Sequence, residues 1–76
     1  MTIIFTNHAL DMLQERDLDR RLLESAICSP DWTEDGEDGI KYAFKRVGHK
    51  VIRVVYRSED KCQIVITAYY DRRLNP

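Results

Sequence analysis

Hydrophobic residues in the first thirty positions recur at helical spacing in two separate runs. The first run follows a candidate N-cap at Thr6 or Asn7 and predicts a helix to about Arg16. The second run predicts a helix after an N-cap at Asp19. That helix stops at Ser29-Pro30-Asp31, because the residue before a proline avoids the helical region. Two short amphipathic helices therefore open the chain.

Alternation of apolar and polar residues replaces the helical spacing in the rest of the chain and predicts strands. Four strands are predicted in all, at 3–5, 40–47, 50–57 and 62–70. Gly48-His49 suits a two-residue hairpin turn, and 58–61 forms the next turn. In the last strand, unbroken alternation puts one set of side chains on one face: Cys62, Ile64, Ile66, Ala68 and Tyr70. The acidic connector 32–39 leaves room for one more short strand near Trp32, and the tail 71–76 is expected to fray.

The order of elements is β-α-α-β-β-β, which predicts an α+β fold in one domain covering residues 1–76. We expect a curved antiparallel sheet with the two N-terminal helices packed on one face. Cys28 and Cys62 are far apart in the chain and are interpreted as reduced, buried thiols, with a disulfide as the less favoured alternative. The first residues have no basic lead, and no apolar run reaches the roughly 18 residues of a membrane span. We therefore expect a cytoplasmic protein without a membrane partner.

Charge divides the chain into two halves although the net charge is only -1. Residues 1–39 hold three basic and ten acidic side chains, a balance of 3 - 10 = -7, whereas residues 40–76 hold nine and three, a balance of 9 - 3 = +6. Such asymmetry favours a polyanion-binding surface on the C-terminal half. The alternative is that the two halves attract each other or that the basic side chains remain solvated.

Four single residues carry candidate chemistry. His8, in the first turn of the first helix, is either a general acid or base or a surface residue hydrogen-bonded to Asp11. Arg53 interrupts an apolar strand, so it needs a carboxylate from the helices, a ligand phosphate or an open face of the sheet. Arg16 suits the negative end of the helix dipole. Tyr70 ends the last strand and, with His8 and Arg53, completes the predicted catalytic set.

Cations and aromatic rings alternate along the predicted sheet. Bases could stack on the rings while the cations neutralise phosphates, although exposed strands are often rich in such residues. The predicted RNA-binding residues are Lys41, Lys45, Arg46, Arg57, Arg72 and Arg73. His8 and Asp11 lack a third ligand at useful spacing, so we predict no metal site. No P-loop, dinucleotide fingerprint or Ser-His-Asp set is present, and no cofactor is predicted.

Several short motifs, in their order, resemble the domain-of-unknown-function family 4258. They are His8-Ala9-Leu10 followed by Arg16, the helix that ends at Ser29-Pro30-Asp31, and the strands Ile52-Arg53-Val54-Val55-Tyr56 and Val65-Ile66-Thr67-Ala68-Tyr69. The family is similar in element order to RelE-like and BrnT-like toxins, which are small endoribonucleases of toxin–antitoxin systems. The resemblance implies a RelE-like fold, RNA as substrate and an antitoxin protein as partner.

Two function classes follow. The first is a small toxin-like RNA-binding protein, in its strongest form a metal-independent endoribonuclease that uses His8, Arg53 and Tyr70. The alternative is a non-catalytic module whose sheet edge or basic face binds a protein. The acidic helical half departs from the basic character of such ribonucleases. The sequence leaves the oligomeric state open, with a homodimer among the alternatives.

Overall fold

A computed structural model describes residues 2–72 and has two helices and five strands. In chain order they are β1 (Thr2–Phe5), α1 (Asn7–Glu15), α2 (Arg20–Cys28), β2 (Trp32–Asp35), β3 (Ile40–Val47), β4 (Lys50–Glu59) and β5 (Cys62–Tyr70). The α+β class is confirmed. Neither of the two helices is long and apolar enough to cross a bilayer within the described part of the chain.

Both helices begin at the predicted N-caps. The Thr6 hydroxyl accepts a hydrogen bond from the Ala9 amide at 3.1 Å and donates one to the Ile66 carbonyl at 3.3 Å. Asp19 caps α2 by accepting from the Arg21 amide at 2.9 Å. A side-chain cap satisfies one of the amides that every helix start leaves without a partner. The Thr6 cap also ties α1 to β5.

The sheet has the order β1-β5-β4-β3-β2 and is mixed rather than antiparallel. Strands β2 to β5 pair antiparallel, but β1 pairs parallel with β5. The predicted all-antiparallel sheet is wrong at this edge. Strand β1 leads directly into α1. Phe5 pairs with Val65, and both side chains belong to the core beneath the helices. The connector after α2 does contain a strand, β2, which makes five strands in place of the four predicted.

A bulge in β5 overturns the predicted alternation of that strand. Tyr56 pairs with Val65 while Val55 pairs with Thr67, which leaves Ile66 as an extra residue between them. Val65 and Ala68 consequently face the same side although three positions separate them, and both are buried. A bulge moves the residues on its two sides out of phase. Ile64 and Ala68 therefore lie on opposite faces.

The helices cover one face of the sheet, as predicted, and enclose the main core. Its largest fully buried members are Leu23, Ile52, Val54 and Val65. Phe44 and Val51 are also buried but lie outside this cluster, on the other face of the sheet. We call that other face, on which no described helix packs, the open face. Because Phe44 and Val51 are buried on the open face, neighbouring side chains of the sheet itself must cover them.

Two expectations about burial are wrong. Asp71 does not fray: it is 2% exposed, and its amide donates to the Val51 carbonyl at 2.8 Å. Of the rest of the predicted frayed tail, Arg72 is exposed, and residues 73–76 lie outside the described residues. Both cysteines are free thiols, as predicted, but Cys28 is exposed because it ends α2, and Cys62 is half-buried.

Candidate functional site

Four side chains form a lateral row across the open face, one from each of four neighbouring strands. Trp32 lies opposite Phe44, Phe44 opposite Arg53, and Arg53 opposite Tyr69. The rings of Trp32 and Phe44 stack with centroids 4.8 Å apart and planes 6° apart. That distance matches the spacing of strands in a sheet. We call these four residues the stacked row.

Arg53 is the polar centre of the stacked row. Its guanidinium carbon lies 4.9 Å from the ring centroid of Phe44, 5.2 Å from that of Tyr42 and 5.8 Å from that of Tyr69. One terminal nitrogen bonds Asp71 Oδ2 at 2.8 Å, and the other donates to the Tyr69 hydroxyl at 3.2 Å. The Arg53 side chain is 17% exposed and that of Asp71 is 3% exposed. This arrangement makes a nearly buried ion pair within an aromatic surround.

The carboxylate partner of Arg53 comes from the end of β5, not from the helices. The alternative in which a helical acid pairs with Arg53 is therefore wrong. Arg53 Nε is buried and has no hydrogen-bond partner among residues 2–72. A buried donor without a partner costs free energy, so the rings and Asp71 must hold the guanidinium in place.

Two further arginines extend the stacked row, one at each end. Arg46 lies over the Trp32 ring at 5.6 Å, and Arg16, which follows α1, lies over the Tyr69 ring at 5.8 Å. Arg16 also donates to the Ala68 carbonyl at 2.8 Å. Arg16 thus reaches past the edge of β5 beyond the end of β1. The Arg16 cation suits the negative C-terminal end of the α1 dipole, and its hydrogen bond to Ala68 ties that end to β5.

The faces of the rings in the middle of the row contact other members of the row. Phe44 lies between Trp32 and Arg53 and is fully buried. A base therefore cannot stack between these side chains without displacing one of them. The middle of the stacked row therefore offers no free ring face to a ligand.

A pocket of about 510 Å³ lies at the Tyr69 end of the row. Its lining residues are Arg16, Tyr69, Tyr70, Asp71 and Arg72, and we call it the terminal pocket. One lining residue, Asp71, is also the ion-pair partner of Arg53. The charges of that pair cancel, so the two remaining arginines leave the pocket positive.

The structure separates the three predicted catalytic residues. His8 is exposed in the first turn of α1, within the helical layer. Arg53 lies on the open face, on the other side of the sheet. Tyr70 pairs with Ile52 on the helix-covered face and packs beside the core, with Lys50 Nζ 5.1 Å from its ring centroid. Only Tyr70 lines the terminal pocket, and Arg53 reaches it through Asp71.

The predicted RNA-binding residues divide between the two faces. Lys41 and Lys45 share the helix-covered face, where Lys41 pairs with Asp35 at 3.7 Å and Lys45 donates to the Ser29 carbonyl at 3.0 Å. Arg46 and Arg57 lie on the open face, and Arg57 pairs with Glu59 at 3.8 Å. Arg72 lines the terminal pocket, and Arg73 lies outside the described residues. Three of these cations thus already have local partners.

The sequence placed Tyr69 among the aromatic rings of the predicted sheet but did not indicate Trp32 or Asp71 as site residues. A signal existed for Asp71, because it directly follows the last strand and so differs from the acids of the connector. No local signal existed for Trp32, whose role depends on the pairing of β2 with β3. Tyr69 differs from Tyr70 only in the face it occupies, and the bulge at Ile66 decides that face.

Comparison with known proteins agrees with the resemblance noted in the sequence. No curated protein and no solved structure matches the chain significantly. The model of one protein family, described as a domain of unknown function (DUF4258), matches residues 5–70, which include both helices and all the strands except part of β1. The chain therefore belongs to the DUF4258 family.

Proposed function

We propose that the protein binds single-stranded RNA. One nucleotide occupies the terminal pocket, and the adjoining nucleotides of the RNA lie across the open face. The observation that carries this proposal is the pocket itself, which places two tyrosines and two arginines around about 510 Å³. A volume of this size is in the usual range for small-ligand sites. Single-stranded nucleic acids bind where aromatic rings and cations occur together.

The terminal pocket and the open face have separate parts in the proposed complex. The ring of Tyr70 and the guanidinium plane of Arg16 supply flat surfaces on which a base stacks. Arg16 is held by the Ala68 carbonyl and by Tyr69, so little of its freedom is lost on binding. Arg46 and Arg57 lie on the open face and contact phosphates of the adjacent strand.

The finer form of the proposal is a toxin-like protein with a RelE-like fold, RNA as ligand and an antitoxin as protein partner. It rests on the resemblance in element order to RelE-like and BrnT-like toxins that the sequence motifs imply. Its catalytic form, a metal-independent endoribonuclease, has weaker support from the geometry, because His8 lies across the sheet from Arg53. RNA binding is the part of the proposal that the terminal pocket supports directly.

Fluorescence anisotropy tests the binding. A labelled single strand of about eight nucleotides is titrated beside a duplex of the same length. Small domains that bind single strands have site sizes of about 4–16 nucleotides. We expect the single strand to bind more tightly and Tyr70→Leu to weaken it about tenfold, the order of one lost base stack. Arg21→Gln, at an exposed position of α2, is the control and leaves the affinity unchanged. Failure of the folded wild type to bind any RNA would overturn the proposal.

The catalytic form has a separate test. Wild type and a His8→Ala/Arg53→Ala double variant of confirmed fold are expressed in cells, and growth and RNA integrity are followed. Growth arrest with RNA cleavage in the wild type alone would support the endoribonuclease. Normal growth with intact RNA, at equal expression, would leave RNA binding without cleavage.

A protein-interaction module is the second candidate function, and one observation favours it. Ile4 on the outer strand β1 is 45% exposed and lies beside Ile64 in the parallel pair. Exposed apolar neighbours on a sheet often contact another protein. Under this alternative no RNA binds, and Ile4→Lys abolishes the capture of a protein partner while Arg72→Gln does not.

A further inference from the structure

We propose that the terminal pocket selects the phosphate monoester at an end of an RNA strand over the internal phosphodiesters. This inference rests on the RNA binding proposed above and adds which part of the strand occupies the pocket. It concerns the side chains that surround the pocket: Arg16, Tyr69, Tyr70, Asp71 and Arg72.

Charge favours the monoester. Arg53 and Asp71 bond at 2.8 Å and cancel, so the pocket presents the two positive charges of Arg16 and Arg72. A phosphate monoester carries about −1.5 to −2 charges near pH 7, whereas an internal phosphodiester carries one. The monoester is therefore the better match to two arginines at short range, and its three terminal oxygens accept from both guanidinium groups.

The position of the two arginines also favours a strand end. Arg16 uses one nitrogen to donate to the Ala68 carbonyl, and an arginine has five N–H donors, so its guanidinium is fixed and still able to bind an anion. Arg72 directly follows Asp71 at the point where β5 has ended. An RNA strand that lies across the open face reaches this boundary of the sheet with its terminal nucleotide, and there the tyrosines contact the terminal base.

Isothermal titration calorimetry with unlabelled RNA tests the selectivity. Three oligonucleotides of identical sequence carry a 5′-phosphate, a 3′-phosphate or hydroxyls at both ends. We expect one phosphorylated form to bind about tenfold more tightly than the hydroxyl form, the order of one additional hydrogen bond to a charged group. The two phosphorylated forms identify which end the pocket accepts.

Variants locate the effect. Arg72→Gln, at an exposed position, should weaken the phosphorylated form more than the hydroxyl form and so remove the advantage of the phosphorylated end. Arg57→Gln should instead weaken all three oligonucleotides by a similar factor, because it lies on the open face away from the pocket. Arg21→Gln changes none of the three affinities.

The outcomes separate this inference from the proposed function. Equal affinities for the three oligonucleotides, with clear binding, would overturn the selectivity and keep the RNA binding. An advantage that survives in Arg72→Gln would also overturn it, since the phosphate would then bind elsewhere. Absence of binding by every oligonucleotide would overturn the proposed function itself.

Discussion

The Arg53–Asp71 ion pair dominates at the scale of single residues. Asp71→Ala leaves a guanidinium that is only 17% exposed and whose Nε already lacks a partner among the described residues. Because an unpaired buried charge is costly, we expect the free energy of unfolding to fall by about 3 kcal/mol. Urea denaturation followed by circular dichroism measures this change.

Two comparisons make the ion-pair prediction specific. Asp35→Ala breaks the exposed pair with Lys41 and should cost less than about 1 kcal/mol, because water screens that pair. Arg53→Met combined with Asp71→Asn removes both charges and should recover part of the loss, since no buried charge remains. An Asp71→Ala effect no larger than that of Asp35→Ala would contradict the ion pair's role.

The bulge at Ile66 is the decisive feature at the scale of elements. Deleting Ile66 lets Thr67 follow Val65, which restores regular alternation while Val65 and Ala68 keep their places in the core. We expect this variant to fold. Deleting Lys45 from the regular β3–β4 ladder instead moves the rest of β3 to the wrong face and should abolish folding. Amide dispersion in a proton–nitrogen NMR spectrum distinguishes the outcomes, and an unfolded Ile66 deletion would contradict the prediction.

The same bulge shows how far local sequence patterns predict these elements. Both helices and the long strands were predicted nearly at their observed positions, because capping and alternation act between near neighbours. The Gly48 turn also agrees, with φ at +63° where glycine has no steric penalty. The parallel pairing of β1 depends on contacts some sixty residues apart, and no local pattern specifies it. The stacked row follows from the pairing of β2 to β5, and the bulge decides the face that Tyr69 occupies, so residue types were predictable and their faces were not.

Charge is arranged over the whole molecule as the sequence indicated, with acids on the helices and connector and arginines around the open face and the terminal pocket. Single-stranded nucleic acid binding weakens with salt by roughly 0.7 in log–log slope for each phosphate contacted. The phosphate contacts proposed for Arg46 and Arg57 would together give a slope of roughly −1.4 for RNA without a terminal phosphate.

The salt dependence of Arg46→Gln tests whether the open face takes part in binding. Arg46 stacks on Trp32 at the end of the row far from the terminal pocket, so its loss should leave the pocket intact. We expect the slope to become shallower by about 0.7, with little change in affinity at high salt where cation contacts are screened. Anisotropy titrations at several salt concentrations measure the slope, and Arg21→Gln on α2 should retain the wild-type value. An unchanged slope in Arg46→Gln would show that the RNA contacts only the terminal pocket, because an RNA strand that crosses the open face must lie beside this cation.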